Sequence, residues 1–167
     1  MLLSSANGLE PISGPIRTSN RNFANGSSYT FVGNVAQVNG AAFGGGVGLV
    51  CCCDMAFGTL ETKICLSEVK IGMVPATIGP YVIKAIGLRN AHRLMLTAEV
   101  MQGQQAVDCQ FLSGLFSVEE FNEKVNTLAA KITHNAPKAM EITKALLLNL
   151  AHQSIDDGVI EYTADVI

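Results

Sequence analysis

The sequence of 167 residues carries little charge, and neither sign dominates strongly. Only 15% of the residues are charged, and 11 Lys and Arg stand against 14 Asp and Glu, with no basic run. A protein that binds a phosphate backbone normally carries a basic stripe or patch. We therefore expect no nucleic acid among the partners of this protein.

Long apolar runs are also missing, although 49% of the residues are hydrophobic and the mean hydropathy is +0.32. The most apolar uncharged stretch, residues 41–53, is interrupted by glycines, whereas a spanning helix needs roughly 20 apolar residues. The start of the chain lacks the basic and apolar regions of an export signal. We expect one compact domain without a membrane partner, located in the cytoplasm.

Metal-ligand spacing is absent from the five cysteines and three histidines. Cys51, Cys52 and Cys53 are consecutive, so on a helix they would point about 100° apart and could not converge on one ion. No Cys-x-x-Cys pair occurs, and no histidine is near. The sequence predicts no metal site and indicates thiols that pack as small hydrophobic groups in a reducing compartment.

The first part of the chain differs in composition from the rest. Residues 1–33 are rich in Ser, Asn and Gly and contain Pro11 and Pro15, which predicts an irregular or poorly ordered segment. Residues 30–38 alternate apolar and polar side chains and run into Asn39-Gly40. This pattern predicts a strand that ends in a turn.

The remaining pattern predicts an α/β core over residues 34–116 and a helical region over residues 117–167. Short strands are expected at residues 55–57 and 63–66, on either side of a loop. Apolar spacing, prolines and a capping box at Ser117 predict the helices. Their expected ranges are 76–86, ending at Gly87, then 90–98, 117 to about 134, 137 to about 152, and from 154 onward.

A glycine run, Gly44-Gly45-Gly46-Val47-Gly48, follows the predicted turn. Glycines let a ligand approach the backbone, and the N–H groups at the start of a helix stabilise an anion there. The run lacks the Lys-Ser/Thr of a P-loop and the glycine spacing of a dinucleotide fold. An anion or oxyanion site and close helix packing both remain open.

One carboxylate, Glu68, lies among apolar residues in SEVKIGMVP, residues 67–75. Desolvation would favour its neutral form, as a general acid or base near neutral pH requires. The alternative is structural, as an ion pair with Lys70 or a helix cap. Composition alone does not exclude that alternative.

Several motifs, in order, resemble the enoyl-CoA hydratase/isomerase (crotonase) superfamily. They are VNGAAFGGGVGL at residues 38–49, CD at 53–54, CLSEVKIGMVP at 65–75, AIG at 85–87 and LMLTAE at 94–99. The resemblance covers residues 35–167 and not residues 1–33. It implies a crotonase-like α/β fold with a helical C-terminal part, incomplete at both ends relative to the family.

The resemblance also implies a substrate, an acyl-CoA thioester, and a site. The N–H of Gly45 would bind the thioester oxygen, and Glu68 would be the catalytic carboxylate. Gly48 stands where typical hydratases have another glutamate, and an upstream loop that supplies a second oxyanion donor is not matched here. Coenzyme A would be part of the substrate, with no separate cofactor. The implied substrate-binding residues are Ala42, Gly44, Gly48, Pro75 and Ile78.

Hydration of a 2-enoyl-CoA is the implied reaction. Gly48 and residues 76–81 are most similar to hydratases of branched or carboxylated enoyl-CoAs, such as methylglutaconyl-CoA hydratases. Isomerisation, or a non-catalytic crotonase-fold fragment, remains an alternative. The family also implies a homo-oligomer, a trimer or hexamer. Surface or structural roles are expected for the other candidates: His92, His134, His152, Asp54, Lys84 and Arg89.

Overall fold

Two small β-sheets and six α-helices make up the computed structural model, which describes residues 2–4, 33–151 and 153–166. The strands are β1 (Leu2–Ser4), β2 (Val35–Gln37), β3 (Ala41–Phe43), β4 (Met55–Gly58), β5 (Lys63–Cys65), β6 (Met101–Gln102) and β7 (Gly114–Leu115). The helices are α1 (Gly45–Cys51), α2 (Gly79–Thr97), α3 (Gln104–Asp108), α4 (Phe121–Thr133), α5 (Pro137–Leu150) and α6 (Asp157–Asp165), with a 3₁₀ helix at Glu68–Ile71.

The strand order of the first sheet is β1-β2-β4-β7, and that of the second is β3-β5-β6. In the first sheet β2, β4 and β7 are parallel, and β1 pairs with β2 in the antiparallel direction. In the second sheet β3 and β5 are parallel, with Phe43 opposite Cys65, and β6 is antiparallel to β5. Parallel neighbours need a crossover connection, and the segment that contains β3 and α1 connects β2 to β4.

The main hydrophobic core lies where α1 packs against α2 and the second sheet. Apolar residues of α1 alternate with glycines, so that Val47 and Val50 are buried while the start of the helix stays partly open. Burial of such side chains removes apolar area from water and stabilises this arrangement. The core therefore fixes the position of the glycine-rich helix.

A second, smaller cluster attaches α4 to the first sheet. Phe121 and Val125 pack against Val35, and the rings of Phe57 and Phe116 stack with centroids 5.3 Å apart. By contrast, no side chain of α5 or α6 is fully buried among the described residues. The C-terminal helices are therefore only partly covered in the described structure.

An ion pair connects α5 to the core. Lys144 Nζ lies 2.8 Å from Asp54 Oδ2, and the same oxygen accepts a hydrogen bond of 2.7 Å from the backbone N–H of Asn34. Asp54 therefore holds together three distant parts of the chain. The sequence predicts a structural role for Asp54, and the structure gives it this ion pair and this hydrogen bond.

Part of the segment predicted to be irregular is a strand. Leu2–Ser4 pairs with the edge of β2, because an added extended segment completes the backbone hydrogen bonds of an edge strand. The prediction of irregular structure was wrong at these residues. Residues 5–32 lie outside the described part of the chain, and the proposed division at residues 33/34 and 116/117 stays a prediction.

The strands predicted at residues 55–57 and 63–66 are present as β4 and β5. The break predicted at Gly87 is also present, with φ 74° and ψ 160°, but the helix resumes at once and α2 continues to Thr97. The last helix begins at Asp157 and not at Ser154, the start that the sequence predicts. Asp156 caps it, because its carboxylate accepts a hydrogen bond from the N–H of Val159 at 2.9 Å.

Three short strands and one short helix were not predicted: β3, β6, β7 and α3. Each has at most five residues, too few to show a periodicity. Among the helices that the structure describes, none is long and apolar enough to span a membrane.

Candidate active site

Gly44 lies at the junction between β3 and α1 and brings the two candidate segments together. Its N–H donates to the carbonyl of Cys65 at 3.0 Å, which extends the β3–β5 pairing by one residue. Its backbone has φ 51° and ψ −124°, a conformation that residues with a Cβ rarely adopt. A Cβ at this position would lie 3.5 Å from Glu68 Oε1 and 3.9 Å from Ser67 Oγ. The Glu68 carboxyl group thus lies directly over Gly44.

The first two residues of α1, Gly45 and Gly46, have open backbone donors. Their N–H groups cannot bond within the helix, and no acceptor for them is found among the described residues. The N–H of Val47, in contrast, donates a hydrogen bond to the carbonyl oxygen of Gly44 at 2.9 Å. Gly45 is exposed, and a Cβ there would meet nothing within 4 Å. A ligand oxygen can therefore reach these two donors.

Glu68 begins the 3₁₀ helix, and its backbone carbonyl accepts a hydrogen bond from Met73 N–H at 3.0 Å. The side-chain oxygen Oε2 is buried and has no hydrogen-bond partner in the described structure. No ion pair between Glu68 and Lys70 is found in this part of the chain. A buried acceptor without a partner is costly, so this oxygen is available to a proton or donor from a ligand.

Gly48 lies within α1, four residues or about one helical turn after Gly44. A Cβ on Gly48 would overlap Ile78 Cγ2 and lie only 2.8 Å from Ile78 Cβ. Ile78, the residue before α2, is partly exposed and packs on the main core. The place of a side chain at position 48 is therefore filled by Ile78.

The remaining predicted substrate-binding residues, Ala42 and Pro75, lie on the same two segments. Ala42 is buried in β3, with its Cβ 3.9 Å from the place of a Cβ on Gly46. The carbonyl oxygen of Pro75 accepts a hydrogen bond from the N–H of Gly79, the first residue of α2, at 2.8 Å. The parallel pairing of β3 and β5 brings residues 42–48 and 67–78 together, at the ends of neighbouring strands.

The structure adds Ser67, whose hydroxyl lies near Gly44 beside the carboxyl group of Glu68. No sequence pattern singles out this residue. Its position immediately before Glu68 was the only available signal. Whether a hydroxyl at this position faces the helix depends on the β3–β5 register, which is not visible in composition or periodicity.

The other candidates lie elsewhere. His92, Lys84 and Arg89 are exposed on α2, and His134 follows α4, while His152 is outside the described residues. No group of three or more metal-ligating side chains is found in the described part of the chain. These residues add no chemistry to the site around Glu68.

The three consecutive thiols, which begin at the last residue of α1, are also poorly suited to act as nucleophiles. Burial raises the pKa of Cys51 and of Cys53 to about 12, and raises that of Cys52 as well. Thiols with such pKa values remain protonated near neutral pH and are poor nucleophiles. The carboxyl group of Glu68 and the backbone of the glycine run are therefore the chemical groups of this site.

Comparison with known proteins gives one consistent result. The sequence model of the enoyl-CoA hydratase/isomerase family matches residues 30–163. An enoyl-CoA hydratase of Alternaria alternata is 38% identical over 113 residues, which are 67% of this chain and 38% of that protein. The peroxisomal Delta(3,5)-Delta(2,4)-dienoyl-CoA isomerase of Arabidopsis thaliana is 33% identical over 133 residues, 78% of this chain and 47% of that protein.

Solved structures agree with the sequence comparison. The crystal structure of an enoyl-CoA hydratase from Shewanella pealeana superimposes with a TM-score of 0.73 and 37% identity, covering 78% of this chain and 49% of that one. This likeness confirms the fold class expected from the sequence motifs. The chain spans about half the length, or less, of the relatives it matches.

Proposed function

This chain belongs to the enoyl-CoA hydratase/isomerase family, and we propose that it processes an acyl-CoA thioester by adding water to the double bond of a 2-enoyl-CoA. One observation carries the proposal. The carboxyl group of Glu68, with its buried and unpartnered Oε2, lies over Gly44 at the start of α1. The free N–H groups of Gly45 and Gly46 begin at the next residue.

The proposed chemistry divides between backbone and side chain. The thioester oxygen accepts a hydrogen bond from Gly45 N–H, and the start of α1 stabilises the negative charge that develops on this oxygen. The Glu68 carboxylate removes a proton from water while the water oxygen bonds to C3 of the acyl chain. The protonated Glu68 then gives its proton to C2, which restores the carboxylate.

The proposal extends to the acyl group and the compartment. The apolar residues Ala42, Pro75 and Ile78 border the site and suit a hydrocarbon chain. A branched or carboxylated acyl group stays part of the proposal because of the motif resemblance at Gly48 and residues 76–81. The five free thiols are consistent with a reducing compartment. We therefore include the cytoplasm in the proposal.

Isomerisation is the second candidate, and a specific observation favours it. The site has one carboxylate, and a single carboxylate suffices to remove a proton from C4 and return it to C2 while the double bond moves. A relative that aligns with most of this chain is named a dienoyl-CoA isomerase. Both candidates use the same acyl-CoA, the same N–H donor and the same glutamate.

Glu68→Gln tests both reactions. The amide keeps the shape of the side chain but neither accepts nor returns a proton. We expect turnover on a panel of enoyl-CoAs to fall about 1000-fold, within the usual range for loss of a general acid or base, while the Kd for a saturated acyl-CoA stays nearly unchanged.

Glu61→Gln is the matched control, because Glu61 is exposed in the turn between β4 and β5. It removes the same charge elsewhere, and we expect full turnover. Wild-type turnover in Glu68→Gln contradicts both enzymatic candidates. A wild-type chain that binds acyl-CoA but converts none of the panel supports the non-catalytic alternative.

A further inference from the structure

Ile78 fills the space that the missing side chain of Gly48 leaves on α1. The Cβ of Ile78 is 2.8 Å from the place of a Cβ on Gly48, and Cγ2 is closer still. Real Cβ atoms do not approach their neighbours this closely. The two positions are therefore complementary, because a larger residue at one requires a smaller residue at the other.

Ile78 and Glu68 lie over two nearby positions at the start of α1. Gly44 directly precedes the helix and Gly48 lies within it, four residues later, a separation of about 6 Å along the helix. Glu68 lies over the first of these glycines and Ile78 over the second. The 3₁₀ helix that Glu68 begins also packs against α2, which follows Ile78 directly.

This position matters because water and a hydrocarbon chain have different requirements. An ordered water needs two to four polar partners and room for about one probe sphere. The side chain of Ile78 is apolar and lies where a side chain on Gly48 would be, about one helical turn from the glycine under Glu68. We expect it to limit the room for water on this side of the carboxylate, whereas apolar acyl atoms can pack there.

We infer that Ile78 is a specificity-determining residue that sets the partition between hydration and double-bond migration at Glu68. The inference rests on the proposed acyl-CoA function and extends it. In hydration, the oxygen of water bonds to C3 and a proton is added at C2. In migration, Glu68 moves one proton from C4 to C2 and no water is consumed, so that excluding water favours this route.

The first experiment measures packing and does not depend on activity. Gly48→Ala adds a methyl group against Ile78, and we expect the midpoint of thermal unfolding to fall by about 5 °C. In the Ile78→Gly background the nearest atom of residue 78 is its Cα, 3.8 Å away, so the same substitution should cost little. Equal shifts in both backgrounds overturn the inference.

The second experiment measures products. Wild type, Ile78→Ala and Ile78→Val are each given the same 2-enoyl-CoA, and the 3-hydroxyacyl and 3-enoyl products are separated by chromatography. Alanine lacks Cγ2 and admits water, so we expect the ratio of hydrated to migrated product to rise about tenfold, as for a missing methylene in a pocket. Valine retains Cβ and Cγ2 and should restore the wild-type ratio.

The outcomes separate this inference from the proposed function. An unchanged ratio in an active Ile78→Ala enzyme overturns the role of Ile78 alone. A ratio that rises equally in Ile78→Val overturns it too, since valine still covers Gly48. A wild-type chain without turnover on any enoyl-CoA overturns the proposed function, and the present inference with it.

Discussion

Gly44 and Gly45 are adjacent glycines that the structure uses differently. Gly44 needs a positive φ and lies under Glu68, whereas Gly45 is absent from the described glycines with positive φ and has open space where a Cβ would be. Glycine at position 45 is therefore not required by the backbone. It leaves room for a ligand at the N–H group.

Gly45→Val tests that difference. We expect the variant to fold, with a circular dichroism spectrum and unfolding midpoint close to wild type, because a Cβ at this position has no described atom within 4 Å. The branched side chain should block approach of a thioester oxygen and weaken acyl-CoA binding by about tenfold or more, as measured by calorimetry. Wild-type affinity in a folded variant would show that the glycine run serves packing alone.

Among single residues, Glu68 and the glycine run could be identified as candidates from the sequence, because both belong to local motifs with a clear chemical meaning. It could not show which glycine has the unusual backbone, or that Ile78 covers Gly48. Those facts depend on the register of β3 against β5 and on where α2 begins. Both are set by packing between distant parts of the chain.

Among the elements, α2 shows how a local signal and tertiary packing combine. Gly87 interrupts the helical backbone, as its sequence position predicted, and its Cβ position is open. The helix nevertheless resumes, because Ala91 and Leu94 beyond the break are buried in the core. Helix propensity predicts the break, whereas the continuation of the helix depends on long-range contacts.

Gly87→Ala should destabilise the protein although the methyl group has room. Alanine at φ 74° is strained, and we expect the free energy of unfolding to fall by about 1–3 kcal/mol in urea denaturation. Gly79→Ala is the control in the same helix, since its Cβ position is also open and it is not among the glycines with positive φ. Equal effects of the two substitutions would contradict a backbone origin.

For the whole molecule, the most informative property is the apolar surface left open. Ile71, the last residue of the 3₁₀ helix, and Val74 just after it are 73% and 78% exposed. Leu147 and Ile155, near the C-terminus, are 63% and 89% exposed. Another chain that covered such groups would remove their apolar area from water. The trimer or hexamer implied by the sequence motifs would supply such a cover.

We predict that the chain self-associates at concentrations on the order of tens of micromolar, as measured by light scattering. Polar replacement of Ile71 and Val74 together should shift the distribution toward monomer, because it reduces the apolar area removed from water on contact. Gly79→Ala, outside these exposed groups, serves as the control. A stable wild-type monomer throughout this range would contradict the prediction.

The parallel pairing of β2 and β4 also has a consequence for how the proposed site forms during folding. The two strands can align only after the chain between them, which contains β3 and α1, has crossed back over the sheet. Such non-local closure is slow compared with helix formation. Because that crossover carries the Gly45 and Gly46 donors, we expect the sheet and the proposed anion-binding backbone to form together, so that acyl-CoA binding on refolding recovers when the strands align.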